Sequence, residues 1–343
     1  MGKDINELLG IHTIELYAKD LKYTEAQKVI DYLVDQGEIY PIKSDPYNID
    51  RHLKSVYLVN DGIRMRIYQS HNKSSGIGFI INPSTLLSGE YQPVRLWRPT
   101  KEDVETLLEI LDDILESLGL DSVKAKDLSL SQMELTKNNW DIKRFAITQY
   151  IHCFHKCFIP RHFKVIYGSD RETRRRLFVM KNKTVAVKAY DKIYELKKNG
   201  RCPESLKGKT ILRTEISLKR EAFLKKLDLD RKDSLYEMLI AGYEHIEDTI
   251  DDYLSKMFPF SGGITRYAVA KKHIESSMVD SLLKEQMLYL LRKTSDSAGL
   301  SAAVHKLKDH YKGHYNNVDD RLVKKILSEF DKLGIAPITL PNN

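Results

Sequence analysis

Apolar and polar residues alternate along the first part of the chain in a pattern that predicts strands and two amphipathic helices. Ile11-His12-Thr13-Ile14-Glu15-Leu16-Tyr17 reads as a strand. Thr24 caps a helical stretch carrying Val29, Ile30, Leu33 and Val34, which stops at Gly37. Residues 55–59, 63–68 and 76–81 read as three strands, separated by Asn60-Asp61-Gly62 and by Asn72-Lys73-Ser74-Ser75. Thr100 opens the clearest helix. Its apolar positions Val104, Leu107, Leu108, Leu111, Ile114, Leu115 and Leu118 form one stripe, and Gly119 ends it. A strand over 128–135 follows.

A second module begins at Asn138-Asn139-Trp140. Residues 141–157 predict a helix whose buried side carries Phe145, Ile147, Tyr150, Ile151 and Phe154. Strands are expected over 163–167, 176–180, 184–194 and 211–218, with Lys181-Asn182-Lys183 as a tight turn between the middle two. Beyond Glu221 the periodicity is helical over 235–258, 268–279, 282–291, 301–310 and 321–333. The expected fold class is therefore α+β, with mainly antiparallel sheets and flanking helices. Two βα-type modules, residues 1–137 and 138–260, precede a small helical C-terminal domain, 261–343, with the boundary at Ser261-Gly262-Gly263.

Composition narrows the classes. The 343 residues suffice for two domains, and 42% apolar with 30% charged residues is ordinary for a soluble globular protein. No apolar run approaches the roughly 18 residues that a membrane span needs. Met1-Gly2-Lys3-Asp4-Ile5-Asn6 lacks the apolar core of a secretory signal and is a poor myristoylation match. Cys153, Cys157 and Cys202 do not make a disulfide framework, so a reducing cytoplasm is expected. Charge is uneven. Between Arg161 and Arg220 there are 18 Lys or Arg against 6 Asp or Glu, a local net of +12, while the whole chain carries +7. Such a block suits a polyanion, because clustered cations displace counterions from a phosphate backbone. Arg174, Arg175, Arg176 and Arg213 are the DNA-contact candidates within it; a solvated basic face is the plainer alternative.

The stretch from Thr184 to Glu195 is the most informative. As one strand it directs Val185, Val187, Ala189 and Ile193 inward, and Lys188, Tyr190, Lys192 and Tyr194 to the opposite face. A tyrosine between two lysines is suited to attack a phosphodiester. Cations favour the phenolate and neutralise charge growing on phosphate oxygens. An edge strand with exposed Lys and Tyr would look the same. Glu134 and Glu215 lie in two further expected strands. Carboxylates on neighbouring strands can hold Mg²⁺ or Mn²⁺, which polarises a phosphate as a Lewis acid. Alternatively each pairs with a nearby cation, Glu215 with Arg213 or Lys219. In the strand holding Glu215, Arg213, Glu215, Ser217 and Lys219 are expected to face outward.

Three segments occur in a telling order: Ser131-Gln132-Met133-Glu134-Leu135-Thr136, then Val187-Lys188-Ala189-Tyr190-Asp191-Lys192-Ile193-Tyr194-Glu195-Leu196, then Leu212-Arg213-Thr214-Glu215-Ile216-Ser217-Leu218-Lys219. Together with Ile80-Ile81-Asn82-Pro83-Ser84-Thr85-Leu86-Leu87, a strand-to-helix step, and the closing Leu333-Gly334-Ile335-Ala336-Pro337-Ile338-Thr339-Leu340-Pro341, the set resembles the phage and plasmid replication proteins of the gene II/X family. Plasmid initiators of the replication-initiation-factor type carry a similar Tyr-x-Lys element. The resemblance implies a rolling-circle initiator that nicks and rejoins origin DNA through a 5′-phosphotyrosine. It places the nucleophile at Tyr190, with Lys192 beside it, and acidic positions at Glu134 and Glu215. It also implies Mg²⁺ or Mn²⁺, origin DNA with an exposed single strand, a host helicase and polymerase as partners, and a bacterial cytoplasm. A homodimer is compatible with this reading; a membrane partner is not expected.

One departure stands out: the His-hydrophobe-His metal motif of many rolling-circle nickases is absent. His152-Cys153-Phe154-His155 has a different spacing, which suits a partly buried helix face or two ligands on one helix. Two other functions compete. A tyrosine recombinase would draw on Tyr311 or Tyr315, although His305-Lys306-Leu307-Lys308 lacks the arginine expected after the histidine. A non-catalytic DNA-binding regulator would use the basic block and a helix-turn-helix over 282–310.

Overall fold

Antiparallel strands flanked by helices form the described structure, as the periodicities predict. The computed structural model describes residues 8–36, 50–52, 56–58, 62–70, 75–313 and 318–340. In chain order the first elements are β1 (Leu9–Leu21), α1 (Tyr23–Asp35), β2 (Asp50–His52), β3 (Val56–Leu58), β4 (Ile63–Ser70), β5 (Ser75–Ile81), α2 (Pro83–Ser88), α3 (Lys101–Ser117) and β6 (Ser129–Trp140). Then come α4 (Arg144–Lys156), β7 (Lys164–Ile166), α5 (Arg171–Arg176), β8 (Leu177–Lys181), β9 (Val185–Asp191), α6 (Lys192–Lys198) and β10 (Ile211–Lys219). The rest is α7 (Arg220–Leu227), α8 (Leu235–Glu244), α9 (Ile246–Met257), β11 (Gly263–Arg266), α10 (Tyr267–Ser276), α11 (Ser281–Lys293), α12 (Gly299–His310), α13 (Asp320–Lys332) and β12 (Ile335–Leu340). The expected turns at Asn60-Asp61 and Asn72-Lys73-Ser74, the stop at Gly37, and Tyr315 lie outside the described residues.

The chain folds as two units. Met1–Asn138 with Glu215–Ile250 forms one, and Asn139–Thr214 with Asp251–Asn343 forms the other. β10 runs through the division, its first half counting with the second unit and its second half with the first.

In the first unit the strands lie in the order β2-β4-β5-β1-β6, with β3 also on β4 and the second half of β10 beside β6. Ile11, Ile14, Leu16 and Ala18 of β1 are buried, whereas His12, Thr13, Glu15 and Tyr17 on the other side are half-buried. The three-residue step from Ile11 to Ile14 breaks strict alternation. Pairing with β6 explains it: Ile11 lies opposite Leu135 and Thr13 opposite Glu134, so His12 is the extra residue of a β-bulge. α3 starts at Thr100, whose hydroxyl accepts from Asp103 N at 3.1 Å while the Asp103 carboxylate returns the bond. α1 begins two residues earlier than expected, with Glu25 closing the cap on Lys22. Asn82 caps α2 by accepting from Thr85 N at 3.2 Å, with Pro83 in the first turn, so the strand-to-helix step is realised. α8 lies on β6, where a Cβ on Gly242 would come within 2.4 Å of the Met133 sulfur.

In the second unit β8 and β9 form the expected hairpin, and β7 adds to β8 as its free edge. The Asn182 side chain closes the turn by accepting from the backbone of Thr184 and Val185, each at 2.8 Å. α4 covers the hairpin with Ile147, Ile151 and Phe154, and the Phe154 ring lies 5.7 Å from that of Phe178. Phe145 and Tyr150, expected on that buried side, are exposed. Lys156 is buried at the end of α4, its amine donating to the carbonyls of Thr294 at 2.7 Å and Ser295 at 3.1 Å. Helices α10 to α13 share an apolar core with Cys153 and with β12. β12 was not anticipated from periodicity; it pairs in parallel with β11. Gly262 is required there, since a Cβ would lie 2.2 Å from the Ile335 carbonyl oxygen. The expected helix over 235–258 is broken at His245 into α8 and α9.

Candidate metal centre and nucleophile

Three acidic or imidazole side chains converge in the first unit. Glu134 enters from β6, Glu215 from β10 and His12 from the β1 bulge; one donor atom of each lies within 4.8 Å of the others. His12 Nδ1 is 3.5 Å from Glu134 Oε2 and 3.7 Å from Glu215 Oε1. The bulge makes this possible. In an unbroken strand one residue would separate the buried Ile11 from the next inward position, whereas here His12 and Thr13 both fit between Ile11 and Ile14. The Thr13 hydroxyl lies 3.1 Å from His12 Nδ1, and Ser217 donates to Glu134 Oε1 at 2.9 Å.

Glu134 is 8% exposed and Glu215 2% exposed. Two carboxylates this close and this poorly hydrated repel each other, and a divalent cation relieves that cost. One imidazole nitrogen with two carboxylates is an appropriate donor set for a divalent metal ion. The sequence singled out both glutamates but not His12. Its signal was the broken alternation at Ile11-His12-Thr13-Ile14, where two polar residues stand between inward positions.

Tyr190 lies in the second unit near the end of β9, opposite Leu177 of β8, and is 9% exposed. Lys188 shares its strand face and is half-buried. The expected strand through Glu195 is not formed. Asp191 caps α6 instead, accepting from Tyr194 N at 3.0 Å, so Lys192 stands on the first helical turn rather than on the strand face. Lys192 nonetheless comes near the nucleophile candidate: its amine is 5.9 Å from the Tyr190 ring centroid and donates to Glu195 at 2.8 Å. Tyr194 lies under the Arg176 guanidinium at 4.8 Å.

The basic residues separate. Arg174 and Arg175 are exposed on α5, a short helix that ends where the expected strand begins. Arg176 is instead held by Asp191 at 2.7 Å and Glu172 at 2.6 Å. Arg213 is fully buried, as are its neighbours through Leu218, so the outward-facing placement of Arg213, Glu215 and Ser217 does not hold. Strand β10 is buried on both sides, which a single-strand alternation cannot reveal.

His152 and His155 are half-buried on α4, and His155 Nε2 donates to the Arg174 carbonyl at 2.9 Å. The Tyr311 phenol donates to Glu285 at 3.1 Å, and burial with that carboxylate pushes its pKa up to about 12. Between α11 and α12 the chain continues through a π-helical turn, Thr294–Ala298, rather than an open turn.

No described helix is long and apolar enough to cross a membrane. No protein-family model matches this chain. No curated protein matches it in sequence. Among solved structures it is similar to the rolling circle replication initiator protein from Geobacillus stearothermophilus, with 11% identity over 73% of this chain and 84% of that one. The TM-score is 0.33, an overlap too slight to assign an activity.

Proposed function

We propose that this protein initiates rolling-circle DNA replication by nicking and rejoining one strand of origin DNA. The observation that carries the reading is the convergence of His12, Glu134 and Glu215. Two of these three were the acidic positions implied by the family resemblance, and they come from strands far apart in sequence. The imidazole ligand favours Mn²⁺ over Mg²⁺, because Mg²⁺ prefers an all-oxygen shell. When bound, the ion would polarise the scissile phosphate and offset the charge that builds on it.

Tyr190 Oη attacks phosphorus as its proton passes to solvent. The bond from phosphorus to the 3′ oxygen breaks, and that oxygen takes a proton from water to leave as a 3′ hydroxyl while the 5′ phosphate stays on the tyrosine. The phosphotyrosine keeps the energy of the broken bond, so attack by a 3′ hydroxyl rejoins the strand without ATP. Lys188 and Lys192 favour the phenolate and steady the phosphate charge. Arg174 and Arg175 hold the DNA backbone. A host helicase and polymerase would act on the nicked product in a bacterial cytoplasm.

The test is incubation with Mn²⁺ and labelled supercoiled DNA carrying a candidate origin. Nicked circles and a protein–DNA adduct are expected, both lost in EDTA and in Tyr190→Phe, both kept in Tyr194→Phe. An adduct mapped to Tyr194 or Tyr311 overturns the assignment.

A further inference from the structure

Tyr167 is 64% exposed, an unusual position for a large aromatic ring that is rigidly backed. It follows directly on β7, the free edge of the hairpin sheet in the second unit. One face of its ring lies on the His155 imidazole, with centroids 6.0 Å apart and planes 9° from parallel. His155 is itself fixed. Its ring meets the Phe178 ring edge-on at 5.3 Å, and its Nε2 donates to the Arg174 carbonyl. Burial holds its pKa below the ordinary value, so at neutral pH the platform carries no charge of its own.

Arg174 ties the assembly together. Its backbone carbonyl holds His155, while its Nε donates to the Gly168 carbonyl at 2.8 Å, next to Tyr167. Gly168 permits the approach, because a Cβ there would come within 2.7 Å of the Thr173 methyl and 3.3 Å of Arg174 N. The other face of Tyr167 is thus open, flat and pre-set, with exposed Arg171, Arg174 and Arg175 on the adjoining helix.

We infer that Tyr167 is a stacking platform for an unpaired nucleobase, with Arg174 placed for the neighbouring phosphate. Aromatic rings bind single strands without sequence preference because every base offers a π-face, while nearby arginines track the backbone. A duplex, whose bases are already stacked, gains nothing from the ring. This inference rests on the DNA reading above and names the strand form that this part of the protein takes. Across the hairpin, Ile166 pairs with Val179 and Val179 with Lys188, so the platform is two strands from β9. At about 4.8 Å per strand that is on the order of 10 Å across the sheet, with the thickness of the β7 edge to be added. A single strand leaving Tyr190 would round the β7 edge to reach it.

The experiment measures binding of a short labelled oligothymidylate, the same oligonucleotide with abasic sites, and a duplex of equal length, by fluorescence anisotropy. Tyr167→Leu should weaken oligothymidylate binding about ten-fold, the loss of one base–aromatic stack. Tyr167→Phe should bind like wild type, and His155→Ala should fall between. The abasic probe and the duplex should not distinguish wild type from Tyr167→Leu. Equal oligothymidylate affinity for wild type and Tyr167→Leu overturns the platform, while adduct formation at Tyr190 would leave the nickase reading standing. If wild type binds none of the probes and forms no adduct, both readings fall. If Tyr167→Leu changes only self-association, measured by sedimentation, the ring is a protein contact and the platform is again overturned.

Discussion

Ser217 donates a 2.9 Å hydrogen bond to Oε1 of Glu134, two residues that are 83 positions apart in sequence. The bond fixes the carboxylate so that Oε2 is the oxygen nearer His12 Nδ1. A residue holding a ligand in this way typically changes metal affinity ten- to a hundred-fold when removed. Ser217→Ala should therefore weaken Mn²⁺ binding by about ten-fold, as read by electron paramagnetic resonance titration. Glu134→Gln, Glu215→Gln and His12→Ala should each weaken it further. The same titration followed by thermal unfolding should show wild type stabilised by about 2.7 kcal/mol at a hundred-fold excess of metal over Kd, and Glu215→Gln unaffected. Unchanged affinity in all four variants would remove the metal centre.

Arg174 and Arg175 are exposed, but Arg176 is taken up by Asp191 and Glu172. The three adjacent arginines should therefore not behave alike on DNA. Changing Arg174 and Arg175 together to Ala should lower the log–log salt slope of binding by about 2 units, close to one per phosphate contact. Arg176→Ala should leave the slope unchanged. A salt series on random duplex DNA tests this; a slope change in Arg176→Ala would mean that it leaves its carboxylate partners to meet phosphate.

Asp191 has two tasks, capping α6 and pairing with Arg176 at the residue after Tyr190. Asp191→Ala should cost about 2–3 kcal/mol in urea unfolding, from the lost cap and from an arginine left without one of its two partners. Asp191→Asn keeps the cap and should cost less. In both, the adduct yield should fall with the order around Tyr190, whereas the Mn²⁺ affinity should not change.

Burial holds His152 and His155 below their ordinary pKa of 6.5, with repulsion from Lys156 and from each other adding to the effect at His152. The unfolded chain then takes up protons on these rings before the folded one does. Their contribution is fully present above about 6.5 and is lost as pH falls through the folded values. Urea midpoints should accordingly drop more steeply between neutral pH and about pH 5 for wild type than for His155→Gln. Parallel pH profiles for the two proteins would show that His155 is not involved.

The sequence by itself determined the local elements and the types of chemistry. Periodicity marked α3 and its Thr100 cap, the β8–β9 hairpin and the inward set Val185, Val187 and Ala189, because these depend on residues a few positions apart. It also pointed to Glu134, Glu215 and Tyr190 as reactive types in suitable strands. Tertiary structure alone decided which of them meet. His12 joins the glutamates only because β1 and β6 pair with a one-residue slip, and register is a property of two strands that one strand's alternation cannot express. Lys192 left the strand face because the Asp191 cap favours a helix start over continued extension. Arg213 is buried because both faces of β10 are covered, and cover is supplied by other parts of the chain. Alternation reports which residues share a face; only the neighbours that fold against that face decide what it becomes.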